Sequence, residues 1–303
     1  MSDIIIKTSS LTVHYGKKRG ISNINLSVHK GEIFGFLGPN GAGKTTTMRV
    51  LLDIIRPTSG EASIFGLDCK KQGIEIRRKV GYLPGEFSPY SGMTGQEFLT
   101  LFASLKENKG NLSSIQELCE RLDLDPSRKM KQYSHGNKQK VGIISAFMGK
   151  PELLILDEPT IGLDPIAQRT VLELVRETRN EGRTVLFSSH IMPEVQSVCD
   201  RVGIIKDGHL IKTESIKSLI EQQIKRIHLT LTRTPPLDAF DIEGVRETRR
   251  DGNTVSLDVL NKLDDVLAIA LRYGIEDIET AQVTLEEIFV TLYNHANKEK
   301  INA

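Results

Sequence analysis

Short apolar runs separated by longer stretches of helical periodicity fill the first two-thirds of the chain. Runs at residues 24–28, 33–37, 62–65, 80–83, 153–156, 184–187 and 202–205 predict strands. The later ones are almost continuously apolar, as strands are when a parallel sheet is covered on both faces. Residues 95–149 break the alternation, since helical patterns succeed one another there with no strand between them. They predict a helical insert.

Near residue 225 the pattern changes. Residues 227–232 and 255–259 alternate as half-buried strands do, and Pro235-Pro236 interrupts the chain between them. Residues 261–271 place Leu263, Val266, Leu267, Ala270 and Leu271 on one helical face. A last helix starts at a capping box made by Thr284 and Glu287, with Val283 and Ile288 placed as a hydrophobic staple. Leu285, Ile288, Phe289 and Leu292 form its apolar stripe. The organisation expected is an α/β domain at 1–224, with a helical subdomain at about 95–149, and a smaller α+β domain at 225–303. The stripe of the last helix would be buried either within that small domain or against a second copy.

At 303 residues the chain has room for both parts. A net charge of +1 gives no global bias toward nucleic acid. Cys69, Cys119 and Cys199 are odd in number and lack C-x-x-C spacing, which points to a reducing compartment rather than a disulfide frame or a zinc site. No run approaches the length of a membrane span, and residues 1–6 lack the basic start of a signal peptide. A membrane role would come through a partner.

The strongest chemical signal is Gly38-Pro39-Asn40-Gly41-Ala42-Gly43-Lys44-Thr45-Thr46. It fits the phosphate-binding loop pattern G-x-x-x-x-G-K-[ST]. It also lies in the right context, after a buried strand and before a helix whose N-terminus favours anions. Lys44 would reach the β- and γ-phosphates of a nucleotide, and the Thr45 hydroxyl would hold Mg²⁺. Leu153-Leu154-Ile155-Leu156-Asp157-Glu158 is an apolar strand ending in two acids. Asp157 fits a Mg²⁺ ligand, direct or through water, and Glu158 fits a base that polarises the attacking water. Tyr133-Ser134-His135-Gly136-Asn137-Lys138-Gln139-Lys140 opens another helix. By physics alone it reads as a solvated basic helix start, with Arg128, Lys129, Lys131, Lys138 and Lys140 nearby.

With these motifs in this order, the chain resembles the ATP-binding cassette (ABC) family, in particular the ATPase subunit of a bacterial ABC-2-type exporter. Tyr15 stands where the family has an aromatic that stacks on adenine. The segment 133–139 stands in place of the family signature. Ile161-Gly162-Leu163-Asp164 matches the D-loop, and Ser188-Ser189-His190 matches the switch histidine. Val198-Cys199-Asp200-Arg201-Val202 and Asp207-Gly208-His209 match the usual close of the domain. The likeness spans residues 4 to about 215, and the segment 283–289 resembles the exporter subgroup's C-terminal helix.

The resemblance implies a P-loop NTPase fold, with a RecA-like mixed-sheet core, an antiparallel β part and a helical insert. It implies ATP and Mg²⁺ as cofactors, and two ATPase subunits that sandwich two ATP molecules head to tail. Ser134 and Gly136, which have no evident use within one subunit, would then cap the γ-phosphate held by the other. His190 would contact that phosphate. As residues alone, Tyr15 also reads as a half-buried strand tyrosine and His190 as a structural histidine. Separate integral membrane subunits would dock beside residues 85–94 and the insert. The chain would lie in the cytoplasm on the inner face of the cell membrane, with no nucleic acid partner.

Two departures stand out. His135 and Asn137 replace a Gly and a Gln of the signature. Gly85-Glu86 replaces the Gln that in the family senses Mg²⁺, and Glu86 reads either as a water-mediated Mg²⁺ ligand or as an exposed residue. A soluble ABC ATPase acting on ribosomes or DNA is the alternative, but one P-loop without heptads or a basic arm speaks against it. A P-loop kinase or GTPase would leave the 133–139 segment, the D-loop-like stretch and His190 without a purpose.

Overall fold

The computed structural model describes residues 3–16, 18–105, 112–221, 225–260 and 262–282. The last helix expected from residues 283–292 lies outside them. In chain order the elements begin with strands β1 (Ile4–Tyr15), β2 (Lys18–Ile24), β3 (Ser27–His29) and β4 (Ile33–Leu37). Helix α1 (Lys44–Leu51), β5 (Ser59–Ile64), β6 (Leu67–Asp68), α2 (Gly73–Lys79) and β7 (Val80–Leu83) come after them. Next are the helices α3 (Gly95–Ser104), α4 (Leu112–Arg121) and α5 (His135–Phe147). The chain returns to alternation with β8 (Leu153–Asp157), α6 (Pro165–Asn180), β9 (Thr184–Ser189), α7 (Met192–Val198), β10 (Arg201–Lys206) and β11 (His209–Ser215). It ends with α8 (Ile216–Glu221), β12 (Lys225–Leu231), β13 (Val245–Asp251), β14 (Thr254–Val259), α9 (Leu263–Tyr273) and β15 (Ile275–Gln282).

The chain divides into two compact units, Met1–Ile216 and Lys217–Ala303, at the start of α8 and ahead of the 224/225 boundary read from the sequence. In the first unit a six-stranded sheet runs in the order β11-β10-β4-β9-β8-β7. Its central pairs are parallel, and β11 is antiparallel at one edge. Every residue of β4, β8 and β9 is buried, which is why these strands read as unbroken apolar runs. A five-stranded sheet in the order β2-β1-β5-β6, with β3 also on β1, makes the antiparallel part. One apolar cluster joins residues of both sheets, among them Ile6, Leu11, Ile24, Phe34, Ile64, Ile155 and Leu186, with Met48 of α1.

Between β7 and β8 the described residues form helices, with one isolated bridge between Thr94 and Lys129. The α3 start is fixed by its sequence: Thr94 Oγ1 accepts the Glu97 N–H, and Glu97 reciprocates to the Thr94 N–H.

The second unit is a four-stranded antiparallel sheet, β13-β14-β12-β15. Ile227, Leu229, Leu231, Val255, Leu257 and Val259 pack with Val266 and Ala270 of α9. The helix face differs from the expected one. Leu263, Val266, Ile269, Ala270 and Tyr273 face the core, whereas Leu271 is 68% exposed. An i, i+3, i+7 stripe that admits Tyr273 excludes Leu271.

Candidate active site

The strands β4, β8 and β9 are parallel neighbours and end at the same edge of the sheet, so the loops leaving them converge there. The register pairs Leu37 with Ser189 and Asp157 with Ser188. Ligand sites of open α/β sheets lie beyond such carboxyl ends.

The loop after β4 needs its glycines. A Cβ on Gly38 would collide with the Ile205 carbonyl oxygen, and Gly43 has φ 113. Gly43 is the N-cap of α1 and supplies no side-chain cap, and the first turn holds no acid. The helix therefore opens with N–H groups that no capping side chain takes, beside the glycine-rich loop. Lys44 is 5% exposed, and its Nζ donates to the carbonyls of Gly38 and Pro39 at 2.5 and 3.3 Å. The same Nζ lies 3.0 Å from Glu158 Oε1.

The acids sit where the sequence places them, at the end of β8. Asp157 is fully buried and accepts two hydroxyl hydrogen bonds, from Thr45 Oγ1 at 2.7 Å and from Ser188 Oγ at 2.6 Å. Ser188 Oγ in turn accepts the Glu158 N–H at 3.0 Å. One hydroxyl thus orients both acids. Sequence reading missed this role of Ser188, because it comes from strand pairing between residues far apart in the chain. The available signal was the hydroxyl pair Ser188-Ser189 ending the apolar run of β9.

Glu158 has φ 51, in the left-handed region. Its Oε2 is 2.9 Å from His190 Nδ1. Its Oε1 is ion-paired with Lys44 and has no other polar partner. This site therefore presents a buried carboxylate oxygen with spare acceptor capacity beside a lysine and a hydroxyl–carboxylate pair.

The remaining expected residues surround this centre. Tyr15 is 49% exposed, and its hydroxyl is 3.4 Å from Thr46 Oγ1, so it borders the phosphate loop. Ser134 caps α5, its Oγ accepting the Asn137 N–H at 3.2 Å. A Cβ on Gly136 would meet the Gly162 carbonyl oxygen at 2.8 Å. Both residues thus have a use within one subunit, contrary to the expectation from sequence. Glu86 lines a cavity of about 500 Å³ together with Tyr82, Phe87, Tyr90, Phe98 and Phe102. Burial, with the charge of Asp157 second, pushes the Tyr82 phenol up to about 12. It is Gly85 that faces Asp157: a Cβ there would be 3.1 Å from Asp157 Oδ2.

The family model for ABC transporters matches residues 21–161. The chain is 35% identical over 302 residues to the bacitracin transport ATP-binding protein BcrA of Bacillus licheniformis, covering 95% of this chain and 97% of that protein. The chain belongs to the ABC transporter ATP-binding family. It is also 36% identical over 215 residues to the linearmycin resistance ATP-binding protein LnrL of Bacillus subtilis, over 68% of each chain. The dimeric structure of MJ0796, a bacterial ABC transporter cassette, superposes with a TM-score of 0.65 at 26% identity, over 70% of this chain and 99% of that one. The fold is that of a P-loop NTPase cassette. This cassette is an ATPase, the ATP-binding subunit of a membrane ABC transporter, and the soluble alternative falls. Among the described residues no helix is long and apolar enough to cross a membrane.

Proposed function

We propose that Glu158 is the general base of ATP hydrolysis. The observation that carries this reading is its buried Oε1, which keeps acceptor capacity for a water proton while Lys44 and His190 flank the carboxylate. A general base must be within hydrogen-bond reach of the proton that it takes. Gly38, Pro39, Asn40, Gly41, Ala42, Gly43, Lys44, Thr45 and Thr46 bind the phosphates, and Tyr15 stacks on adenine. Among the described residues no three His, Cys, Asp or Glu side chains gather as a metal site. The hard oxygen donors of Thr45 and Asp157 nevertheless suit Mg²⁺, which takes only one or two protein ligands when phosphates supply others. Bound there, Mg²⁺ would neutralise charge developing on the transferred phosphoryl group. Glu86 lines the aromatic cavity, which favours a docking role for it over metal binding.

A second ATPase subunit completes each site, with Ser134 and Gly136 capping the partner's nucleotide and His190 contacting the γ-phosphate. Separate integral membrane subunits dock at the cavity beside residues 85–94, whose aromatic lining suits an apolar segment. The chain lies on the inner face of the cell membrane through those subunits. Relatives named for bacitracin transport and linearmycin resistance favour efflux of a toxic compound. Glu158→Gln should bind ATP as the parent does and lose turnover by about 10²–10⁴-fold. With ATP it should also accumulate as a dimer in light scattering. Hydrolysis at the parental rate would sink the base assignment.

A further inference from the structure

One face of α5 grips the loop just after Glu158. Gln139 is 3% exposed, and its Nε2 donates at 3.3 Å to the carbonyl of Pro159, the residue next to Glu158. His135 lies one turn earlier on the same face. Its ring is pressed against Gly162, where a Cβ would stand 2.5 Å from His135 Cδ2. Gly136 lies between them, with clearance from the Gly162 carbonyl only because it lacks a Cβ. From the other side, Gln168 of α6 donates to the carbonyl of Leu163 at 3.2 Å and reaches that of Thr160 at 3.5 Å. Asp164 caps α6 by accepting the N–H groups of Ile166 and Ala167.

Side chains therefore hold segment 158–164 at the carbonyls of Pro159, Thr160 and Leu163. Its first residue needs that hold: a non-glycine residue at φ 51 persists only where its surroundings over-determine it. Ser188 fixes Glu158 from the strand side. The next peptide along is fixed by Gln139. A buried amide costs stability unless it is hydrogen-bonded, so Gln139 is a costly way to fill that space unless the bond itself matters.

We propose that Gln139 is a positioning residue for Glu158, and that His135 is the second point of the same clamp. The clamp ties the carboxylate to the helix whose N-terminus carries Ser134 and Gly136. It rests on the reading of Glu158 as the base. The clamp uses His135, a residue by which this chain departs from the usual signature, and it acts within one subunit.

The test is a double-mutant cycle in the full-length chain. Gln139→Met keeps the side-chain length and removes the donor. It should lower kcat by about tenfold, the worth of one hydrogen bond, and leave KM and the affinity for a fluorescent ATP analogue unchanged, while the unpaired Pro159 carbonyl lowers the melting temperature slightly. In the Glu158→Gln background it should cost nothing further in single-turnover hydrolysis, because there is no base left to position. His135→Ala should act in the same direction and to a smaller extent. Gln139→Asn folds with an amide in place but falls short of Pro159. It should lower kcat as well, and it carries the test if Gln139→Met does not fold. An unchanged kcat in the Gln139 variants, with Glu158→Gln inactive, would overturn the clamp and leave the base assignment standing. So would an equal loss in both backgrounds. Parental turnover in Glu158→Gln alone would instead remove the base, and the clamp with it.

Discussion

Beyond the ends of β4, β8 and β9 the first unit buries Lys44, Asp157, Glu158, Gln139 and Glu194. Among the described residues of the second unit, Ser256 is the only buried polar side chain, and the interior is Ile227, Leu229, Leu231, Phe240, Val255, Leu257 and Val259. Backbone strain divides the same way. Among the described residues, all the non-glycine ones with left-handed φ, Glu158 included, lie in the first unit, while Gly244, Gly252 and Gly274 meet that need in the second. Burying a charge is expensive, and strain persists only where packing enforces it. The first unit carries both costs, and at Glu158 they meet in one residue of the site.

The widest contrast is expected on unpairing a buried charge. Lys44→Met leaves Glu158 buried without its lysine, and breaking a buried ion pair costs about 3–5 kcal/mol. Urea unfolding monitored in the first unit should show that loss, and the affinity for ATP should fall with it. Unchanged stability would mean that solvent or His190 already compensates Glu158, and the contrast would weaken. Next in size is Leu229→Ala, which empties a fully buried position of the second unit. Truncating a buried leucine costs about 2–5 kcal/mol. Hydrogen exchange should show the loss in β12 and β14, with ATP affinity and turnover unchanged. Lost ATP binding would join the two regions that the comparison separates.

How far the sequence reveals this arrangement depends on whether the signal is local. The ranges of β4 and β7 coincide with the apolar runs 33–37 and 80–83, because strands covered on both faces have no polar positions to blur them. β1, the longest strand, is not legible in this way. Its polar and apolar residues alternate irregularly, and register shifts interrupt its pairing with β2, β3 and β5. β13 escapes notice because Val245 is the only apolar residue in it, as befits a sheet edge. At the site, the phosphate loop and the two acids are legible since each is a contiguous run. Ser188 and Gln139 are not, because their roles arise from contacts with residues far along the chain.

The smallest expected effect sharpens the comparison from the side of the second unit. There, charges pair near the surface, as Glu247 and Arg250 do. Arg250 Nε and Nη2 each donate to the Glu247 carboxylate at 2.6 Å, and the two side chains are 28% and 14% exposed, Glu247 the more so. The guanidinium hydrogen bonds hold the Glu247 carboxyl below its ordinary range, against a smaller opposing effect of burial. The folded-state pKa is therefore the lower one. The pair's stabilisation is present above the unfolded value, about pH 4.3, and is lost as pH falls through the folded value. Solvent reaches both groups, so the pair contributes at most about 1 kcal/mol. Arg250 also donates to the carbonyls of Pro235 and Pro236, so it stays anchored when its carboxylate partner is neutralised. Glu247→Gln should then lower the stability of the second unit slightly at pH 7, and less so in high salt. As pH falls through the folded value and the parent's own carboxyl takes up its proton, the difference between parent and variant should close. A gap that is large at pH 7, or that does not narrow as pH falls, would show that the second unit also relies on a desolvated charge.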